Sequence, residues 1–492
     1  MALCIGIDVG TSAVKVVVTD EAEVILAERE APLAISRPGP SASEQDPEDW
    51  WTIVAGVLDA MAAESPRLMS GVCSIGLSGQ MHGAVLLGAD LAPLRPAMLW
   101  NDGRAAPQAK VLRERFPDLP AIVGVPAMPG FTGPKIPWLV AREPGLIERV
   151  RTVMLPKDYV RLHLTGEVAT DMSDAAGTWW LDQARRAWSP EAAAATGLPF
   201  SALPPLLESP EPAGTLRPAL AARWGLPAGV VVAAGAGDAA AGAVGIGAMG
   251  DSDTFLSLGT SAQLFVSTAC YRPAPHQAVH AFCHAAPRLW FQMGAMLNGA
   301  SCLAFVSGLV GAPIGTLLEE VEAQGSGPSD VVFLPYLSGE RTPHDDADAR
   351  GVFLGMTPST TRADLVRAVL EGVAFSFADA RDALASAGTR LADAAVIGGG
   401  ARSTLWMQIL ADVLGIRLRR YRGGAKGPAF GAARLARMAF TGLPASAVAV
   451  RPSVLDEYEP GPAASAAYGA PLERYRRTYR ALRAAGVFTR GQ

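Results

Sequence analysis

Lysine and cysteine are the scarce residues of this chain. Five lysines (Lys15, Lys110, Lys135, Lys157 and Lys426) serve 492 residues, arginine carries most of the positive charge, and the net charge is −5. No basic run exceeds a few residues. That argues against a nucleic-acid partner, which requires a concentrated basic surface. The excess of arginine and alanine reads as base-composition bias in the gene rather than chemistry. The five cysteines, Cys4, Cys73, Cys270, Cys283 and Cys302, are scattered and form no Cys-x-x-Cys pair. Neither a disulfide framework nor a zinc site follows from them, and the adjacency of Cys283 and His284 does not change this. The expectation is reduced thiols in a cytoplasmic protein. A basic-then-apolar leader and any apolar run of about 18 residues are also missing, so a targeting or membrane-spanning segment is not expected.

What the chain has is apolar mass. Half of it is hydrophobic and 18% is charged, enough for two large domains with separate cores. Residues 3–19, LCIGIDVGTSAVKVVVT, and 254–268, TFLSLGTSAQLFVST, share one design. Each is an apolar run, then Gly-Thr-Ser, then a second apolar run, and each predicts two strands joined by a tight turn. A turn of Gly, Thr and Ser offers free backbone N–H groups and two hydroxyls, a cradle for phosphate oxygens. Two cradles half a chain apart suggest a polyphosphate gripped from both sides, by Gly10, Thr11 and Ser12 and by Gly259, Thr260 and Ser261. Lys15, on the returning strand, can join the first cradle or be an ordinary edge lysine.

Further along, a strand is expected near Val24–Arg29, and Pro47–Ala63 predicts a helix opened by the acidic residues of PEDWW. Val72–Ser78 reads as a buried strand running into Gln80-Met81-His82-Gly83, and Leu203–Pro227 as short helices and loops. Val230–Ala234 is a buried strand ending at Gly235-Ala236-Gly237-Asp238. The glycines between Gly242 and Ser252 mark the domain boundary, giving domains 1–247 and 248–492. The second half repeats the plan, with a strand at Ala395–Ile397, the loop Gly398-Gly399-Gly400-Ala401, and a helix from about Ser403 to Leu414. Alternating strands and helices define an α/β protein. Near the end Leu472, Tyr475, Tyr479 and Leu482 share a helical face, with Arg474, Arg477 and Arg480 on a solvated one.

Several positions carry chemistry. Asp8 precedes the first cradle by two residues. A carboxylate beside phosphates needs an intervening cation, so Asp8 is a candidate for holding hydrated Mg²⁺, against the alternative of a turn cap. Asp238 ends a strand and opens a small-residue helix. It is placed to accept a proton from a hydroxyl, or else to serve as a helix N-cap. The Gly398–Ala401 loop permits close approach of a flat ligand, or is a plain turn; it is not the Gly-x-Gly-x-x-Gly dinucleotide motif. Gln80, Met81 and His82, with Trp100, Asn101, Asp102 and Arg104, suit a ligand bearing several hydroxyls, with Trp100 covering one face.

These residues belong to longer motifs: IGIDVGTSAVK (5–15), SEQDPEDWW (43–51), GQMHGA (79–84), WNDGR (100–104), MPGFTGPKIPWL (128–139), LPKDYVRL (155–162), DMSDAAGTWWLD (171–182), LPYLSGERTPH (334–344) and GGGARS (398–403). Together they resemble the FGGY carbohydrate kinases of the actin-like ATPase superfamily, along nearly the whole chain. The resemblance implies two similar ribonuclease H-like domains with a catalytic cleft between them. It implies ATP and Mg²⁺, with Asp238 as base on the terminal C5 hydroxyl of a pentulose, D-xylulose. Asp8 would order the metal, and the two Gly-Thr-Ser turns would face the phosphates. Gly399, Gly400 and Ala401 would line the adenosine site, with the helix from Ser403 behind it. Met81, His82, Asn101 and Asp102 would lie around the sugar. Family members of this type are often dimers. One departure stands out: the family's amide after the aspartate is replaced by Ala239. That opens water, Gln80 or another ketose or polyol (ribulose, a pentitol, a tetritol) as substitutes.

Overall fold

The computed structural model describes residues 2–422 and 426–488. Two seven-stranded sheets organise it. The first runs in the order Pro212–Thr215, Val231–Ala233, Val72–Gly79, Leu3–Val9, Ala13–Thr19 and Ile25–Pro32, and Ala236–Gly237 adds a short pairing to Val72–Gly79. The second runs His280–Cys283, Trp290–Met296, Ala262–Thr268, Thr254–Leu258, Asp393–Ile397, Arg417–Tyr421 and Val454–Tyr458. Each sheet is built around the same unit. An antiparallel hairpin places its first strand parallel to a later one, Leu3–Val9 beside Val72–Gly79 and Thr254–Leu258 beside Asp393–Ile397. The two Gly-Thr-Ser turns therefore sit at equivalent sheet ends, as their sequence similarity predicts.

The hairpin strands form because apolar, β-branched residues dominate them. Ile5, Ile7, Val14, Val16 and Val18 are fully buried, and each such side chain contributes roughly 1.5–3 kcal/mol by leaving water. The helix expected at Pro47–Ala63 spans Pro47–Glu64, opened by Asp46, whose carboxylate accepts the Glu48 N–H. The predicted 24–29 strand spans Ile25–Pro32. Leu203–Pro227 holds short strands as well as the helix Pro218–Trp224. At the C-terminus Tyr475 and Tyr479 are buried, while Arg474 donates to the Ser329 carbonyl and leaves the purely solvated face expected of it.

Two seams join the lobes. The Gly124 carbonyl accepts the Ala281 N–H at 2.9 Å, and Gln183 accepts the Cys283 N–H at 2.9 Å and the Trp290 indole N–H at 2.6 Å. The second seam is the helix Gly427–Thr441. It lies in sequence between two strands of the second sheet, Arg417–Tyr421 and Val454–Tyr458, but packs on the first. A Cβ at Gly6 would lie 1.9 Å from the Ala429 carbonyl oxygen, and one at Gly76 would lie 2.0 Å from that of Ala432. Backbone therefore meets backbone, which only glycine permits. Among the described residues no single helix is long and apolar enough to cross a membrane.

Candidate active site

The first sheet gathers its chemistry at one edge. Register pairs Asp8 with Ser78, Val9 with Gly79, and Gly237 with Gly79. Asp8, the turn at Gly10–Ser12, the Gln80–His82 segment and Asp238 thus emerge together at strand carboxyl ends, where α/β folds bind ligands. Asp8 accepts a hydrogen bond from the Ser78 hydroxyl at 2.5 Å. Burial raises its carboxyl to about 6, against the opposing pull of Ser78 and Lys15. Asp8 makes no hydrogen bond to its own turn, so the turn-cap alternative is not what the structure contains.

Asp238 is partly buried and opens the helix Asp238–Ile246. Its N-cap residue is Gly237, so the alternative reading of Asp238 as a cap also falls. Its carboxylate accepts only the neighbouring Ala239 N–H, at 2.7 Å. Burial first, and then the negative charge of Asp8, lift this carboxyl to about 7. A carboxylate poised near neutrality is matched to taking a proton from a hydroxyl.

The turn bearing Asp238 is clamped from beneath by a cluster that the LPKDYVRL and DMSDAAGTWW motifs supply. Arg161 donates to the Ala234 carbonyl at 2.8 Å, and the Ser173 hydroxyl accepts the Gly237 N–H at 3.2 Å. Asp171 accepts from the hydroxyls of Ser173 and Ser209 at 2.6 and 2.7 Å. Lys157, fully buried, pairs with Asp158, Asp171 and Asp174. Burial, with Asp158 and Asp171 adding to it, pushes Asp174 well above the usual carboxylate range.

The first turn differs in detail from expectation. Thr11 donates its hydroxyl to Gln80 at 3.0 Å and accepts the Trp100 indole N–H at 3.0 Å, so it braces the turn. Gln80 is itself spent: its amide donates to Gly10 and Gln45 at 3.2 and 2.8 Å. It therefore cannot stand in for the amide missing at 239. Ser12 remains exposed, and its hydroxyl makes no hydrogen bond among the described residues. Lys15 stands across the hairpin from Asp8 and is tied to Glu28 at 2.8 Å.

In the second lobe the turn at Gly259–Ser261 is held through its backbone. The Gly259 and Thr260 carbonyls accept the N–H groups of Ala300 and Gly299, while Thr260 and Ser261 stay exposed. Gly398, at φ +95°, presses against Leu258, where a Cβ would lie 2.6 Å from backbone. The Gly399–Arg402 segment is a short 3-10 turn beside the hairpin, with Gly399 exposed and Gly400 and Ala401 buried. Ser403 accepts the Trp406 N–H at 3.2 Å and so caps the helix Thr404–Leu414.

Between the lobes lies a cavity of about 180 Å³, lined by His82, Trp100, Asn101 and Phe131 from the first and by Leu297 and Arg341 from the second. His82 sits at φ +70°, and its carbonyl takes the Lys135 ammonium at 2.8 Å and the Thr132 hydroxyl at 3.2 Å. Its Nδ1 donates to the Gly177 carbonyl at 2.6 Å. Burial holds the ring neutral, well below its usual range, so Nε2 is left as an acceptor. Met81 packs against Gly177 and Gly237 under the Asp238 turn. Asn101 carries a buried carbonyl oxygen without a hydrogen-bond partner.

Asp102 lines the cavity but is committed, accepting the Ser43 N–H at 2.9 Å and the Arg104 guanidinium at 2.6 Å. Arg104 in turn pairs with Glu44 at 2.5 Å and stacks over Trp138. These contacts hold both side chains in place at the site. Lys135, Ser173 and Arg341 were not singled out by sequence reasoning, although their motifs were.

This arrangement, a hydroxyl-bearing turn on each of two similar sheets, a near-neutral carboxyl and a cavity lined from both lobes, defines a phosphotransferase of the actin-like ATPase fold. Residues 3–245 match the N-terminal domain, and 254–440 the C-terminal domain, of the FGGY family of carbohydrate kinases. The chain belongs to that family and is a carbohydrate kinase. It is 44% identical to the xylulose kinase of Escherichia coli K12, over 97% of this chain and 99% of that one. It is 46% identical to the xylulose kinase of Klebsiella pneumoniae, over 88% and 89%. The crystal structure of a kinase from Brucella ovis, described as a xyloylose kinase, superposes with a TM-score of 0.95 at 46% identity, covering 98% of this chain and all of that one.

Proposed function

We propose that this protein transfers the terminal phosphoryl group of ATP to the C5 hydroxyl of D-xylulose, giving D-xylulose 5-phosphate and ADP. The observation that carries the reading is Asp238, a partly buried carboxylate raised to about 7, on a turn that packs against Met81, the residue before the cavity-lining His82. Likeness to the xylulose kinases, over nearly full length, supports the substrate. Asp238 accepts the hydroxyl proton as the sugar oxygen attacks phosphorus, and His82 and Asn101 hold the sugar against Trp100. Gly10 and Ser12 with Gly259, Thr260 and Ser261 bind the phosphates, and Gly399–Ala401 the adenosine. Residues 1–247 then carry sugar and base, and 248–492 the nucleotide.

The donor set at Asp8 fits Mg²⁺, a hard cation that accepts one or two carboxylates and keeps water or phosphate for the rest. Here two carboxylates face each other closely enough to shift one of them. Bound there, the metal would neutralise charge on the phosphates. The remaining work is positioning and exclusion of water, which a cleft between two lobes supplies. The cysteines, free in the structure, support a reducing, cytoplasmic setting.

Ala239 favours a second reading, a different ketose or polyol as acceptor. ADP release by the purified protein, with D-xylulose, D-ribulose, pentitols and tetritols compared, tests both. D-xylulose is expected to give the highest kcat/KM. Another acceptor exceeding it tenfold would overturn the substrate assignment.

A further inference from the structure

Arg341 is the one arginine of the interlobe cavity, and its guanidinium makes no ion pair or hydrogen bond among the described residues. It lies over the Trp100 ring, 5.8 Å from the centroid. A guanidinium is a donor only, and one held in a cavity without an acceptor is costly unless a ligand supplies one. The same cavity holds two unpaired acceptors, the buried Asn101 Oδ1 and Glu340 Oε2. Its free capacity is therefore mixed. A carboxylate could satisfy Arg341 but would bring more acceptors against Asn101 and Glu340. A polyol hydroxyl can accept from Arg341 while donating to Asn101 or Glu340, but it always carries a proton to place, which a carbonyl oxygen does not. A hydroxyketone offers a carbonyl oxygen for the donor and an adjacent hydroxyl for an acceptor.

Arg341, Trp100, Asn101 and His82 line the cavity while Asp238 does not, so Arg341 belongs to the end of the acceptor site away from the base. We propose that Arg341, with Asn101, is the specificity determinant for the C1–C2 hydroxyketone end of an open-chain ketose. Arg341 donates to the C2 carbonyl oxygen, and Asn101 Oδ1 accepts the C1 hydroxyl. This rests on the sugar-kinase reading above and names the part of the substrate that the second lobe recognises. It also gives a substitute for the amide absent at 239, because the ketose is held from its other end.

Steady-state kinetics of wild type, Arg341→Met, Arg341→Lys and Asn101→Ala test it, with D-xylulose, 1-deoxy-D-xylulose and the matching pentitol as acceptors. Arg341→Met is expected to raise the KM for both ketoses at least tenfold and to erase the preference for ketose over pentitol, with the KM for ATP unchanged. Arg341→Lys, keeping a donor, is expected to recover part of the loss. Asn101→Ala should weaken D-xylulose about tenfold and leave 1-deoxy-D-xylulose, which lacks the C1 hydroxyl, unaffected. Thermal melting and the unchanged KM for ATP separate this from misfolding. If wild type phosphorylates D-xylulose but Arg341→Met and Arg341→Lys keep its ketose-to-pentitol ratio, the inference is wrong and the kinase reading stands. If wild type phosphorylates no ketose, the kinase reading itself fails.

Discussion

The carboxylates of Asp8 and Asp238 are electrostatic neighbours, although one ends the first strand and the other opens a helix almost at the chain's midpoint. The charge of Asp8 adds to burial in raising Asp238 to about 7. Two carboxylates that resist joint ionisation divide their roles naturally: one stays charged for a cation, the other exchanges a proton.

The pH dependence follows with a definite sign. Activity should rise with pH, and the acidic limb of kcat/KM in the free enzyme should have its midpoint near 7. Replacing Asp8 by Asn removes one of the two causes of the shift, so the Asp238 carboxyl should titrate at lower pH, as followed by carbon-13 NMR. Folding raises this carboxyl above its ordinary 3.8. Its contribution thus favours the fold at low pH and is lost as pH climbs through 7. Asp238→Asn should accordingly melt higher than wild type at pH 8, lose that advantage towards pH 4, and phosphorylate sugar at least a thousandfold more slowly. A variant retaining a tenth of the wild-type rate would sink the base assignment.

The clamp beneath Asp238 separates placement from stability. Ser173→Ala removes the acceptor of the Gly237 N–H, worth about 1–2 kcal/mol. We expect kcat to fall roughly tenfold with the KM values for sugar and ATP within about twofold. Lys157→Met leaves Asp158, Asp171 and Asp174 without their shared cation, a change that costs about 3–5 kcal/mol. Denaturant titration should show that loss for Lys157→Met and far less for Ser173→Ala; equal losses would argue that the cluster only stabilises.

Ala239 sits partly buried in the first turn of the helix that Asp238 opens. Ala239→Asn adds an amide beside the base, and a hydrogen bond gained there is worth on the order of 1–3 kcal/mol. Either the affinity for D-xylulose improves or preference moves to another acceptor. Unaltered affinity for every pentulose tried would remove position 239 from the specificity argument.

Gly6→Ala and Gly76→Ala test the seam with the Gly427–Thr441 helix. Each new methyl would meet a backbone carbonyl at about 2 Å. Because neither side can yield as a flexible side chain would, the cost should exceed the roughly 1–3 kcal/mol of ordinary overpacking. Melting curves matching wild type would contradict the packing described.

Much of the site was legible because its signals are local. Gly-Thr-Ser between apolar runs gives the hairpin turns, and Asp238 after a strand and a glycine turn gives the candidate base. What escaped depends on partners distant in sequence. Gln80 and Arg104 have the composition of ligand-binding residues, yet their hydrogen bonds go to Gly10 and Gln45 and to Asp102 and Glu44. Thr11 is spent for the same reason. Arg341 is the converse: its motif is legible in the sequence, but only the cavity between the lobes shows its guanidinium without a partner among the described residues. The Gly427–Thr441 helix follows the same logic, since a run of glycine and alanine does not name the sheet it will cover.

That helix has a consequence for anyone who would cut the protein into halves. A fragment stopping at the midpoint would leave Gly6 and Gly76 facing solvent, and their sheet without its lid of alanines. The later fragment would carry an orphan helix with no surface to rest on. The tail of the polypeptide completes what its head begins, so the two lobes mature as one unit, and neither is a spare part.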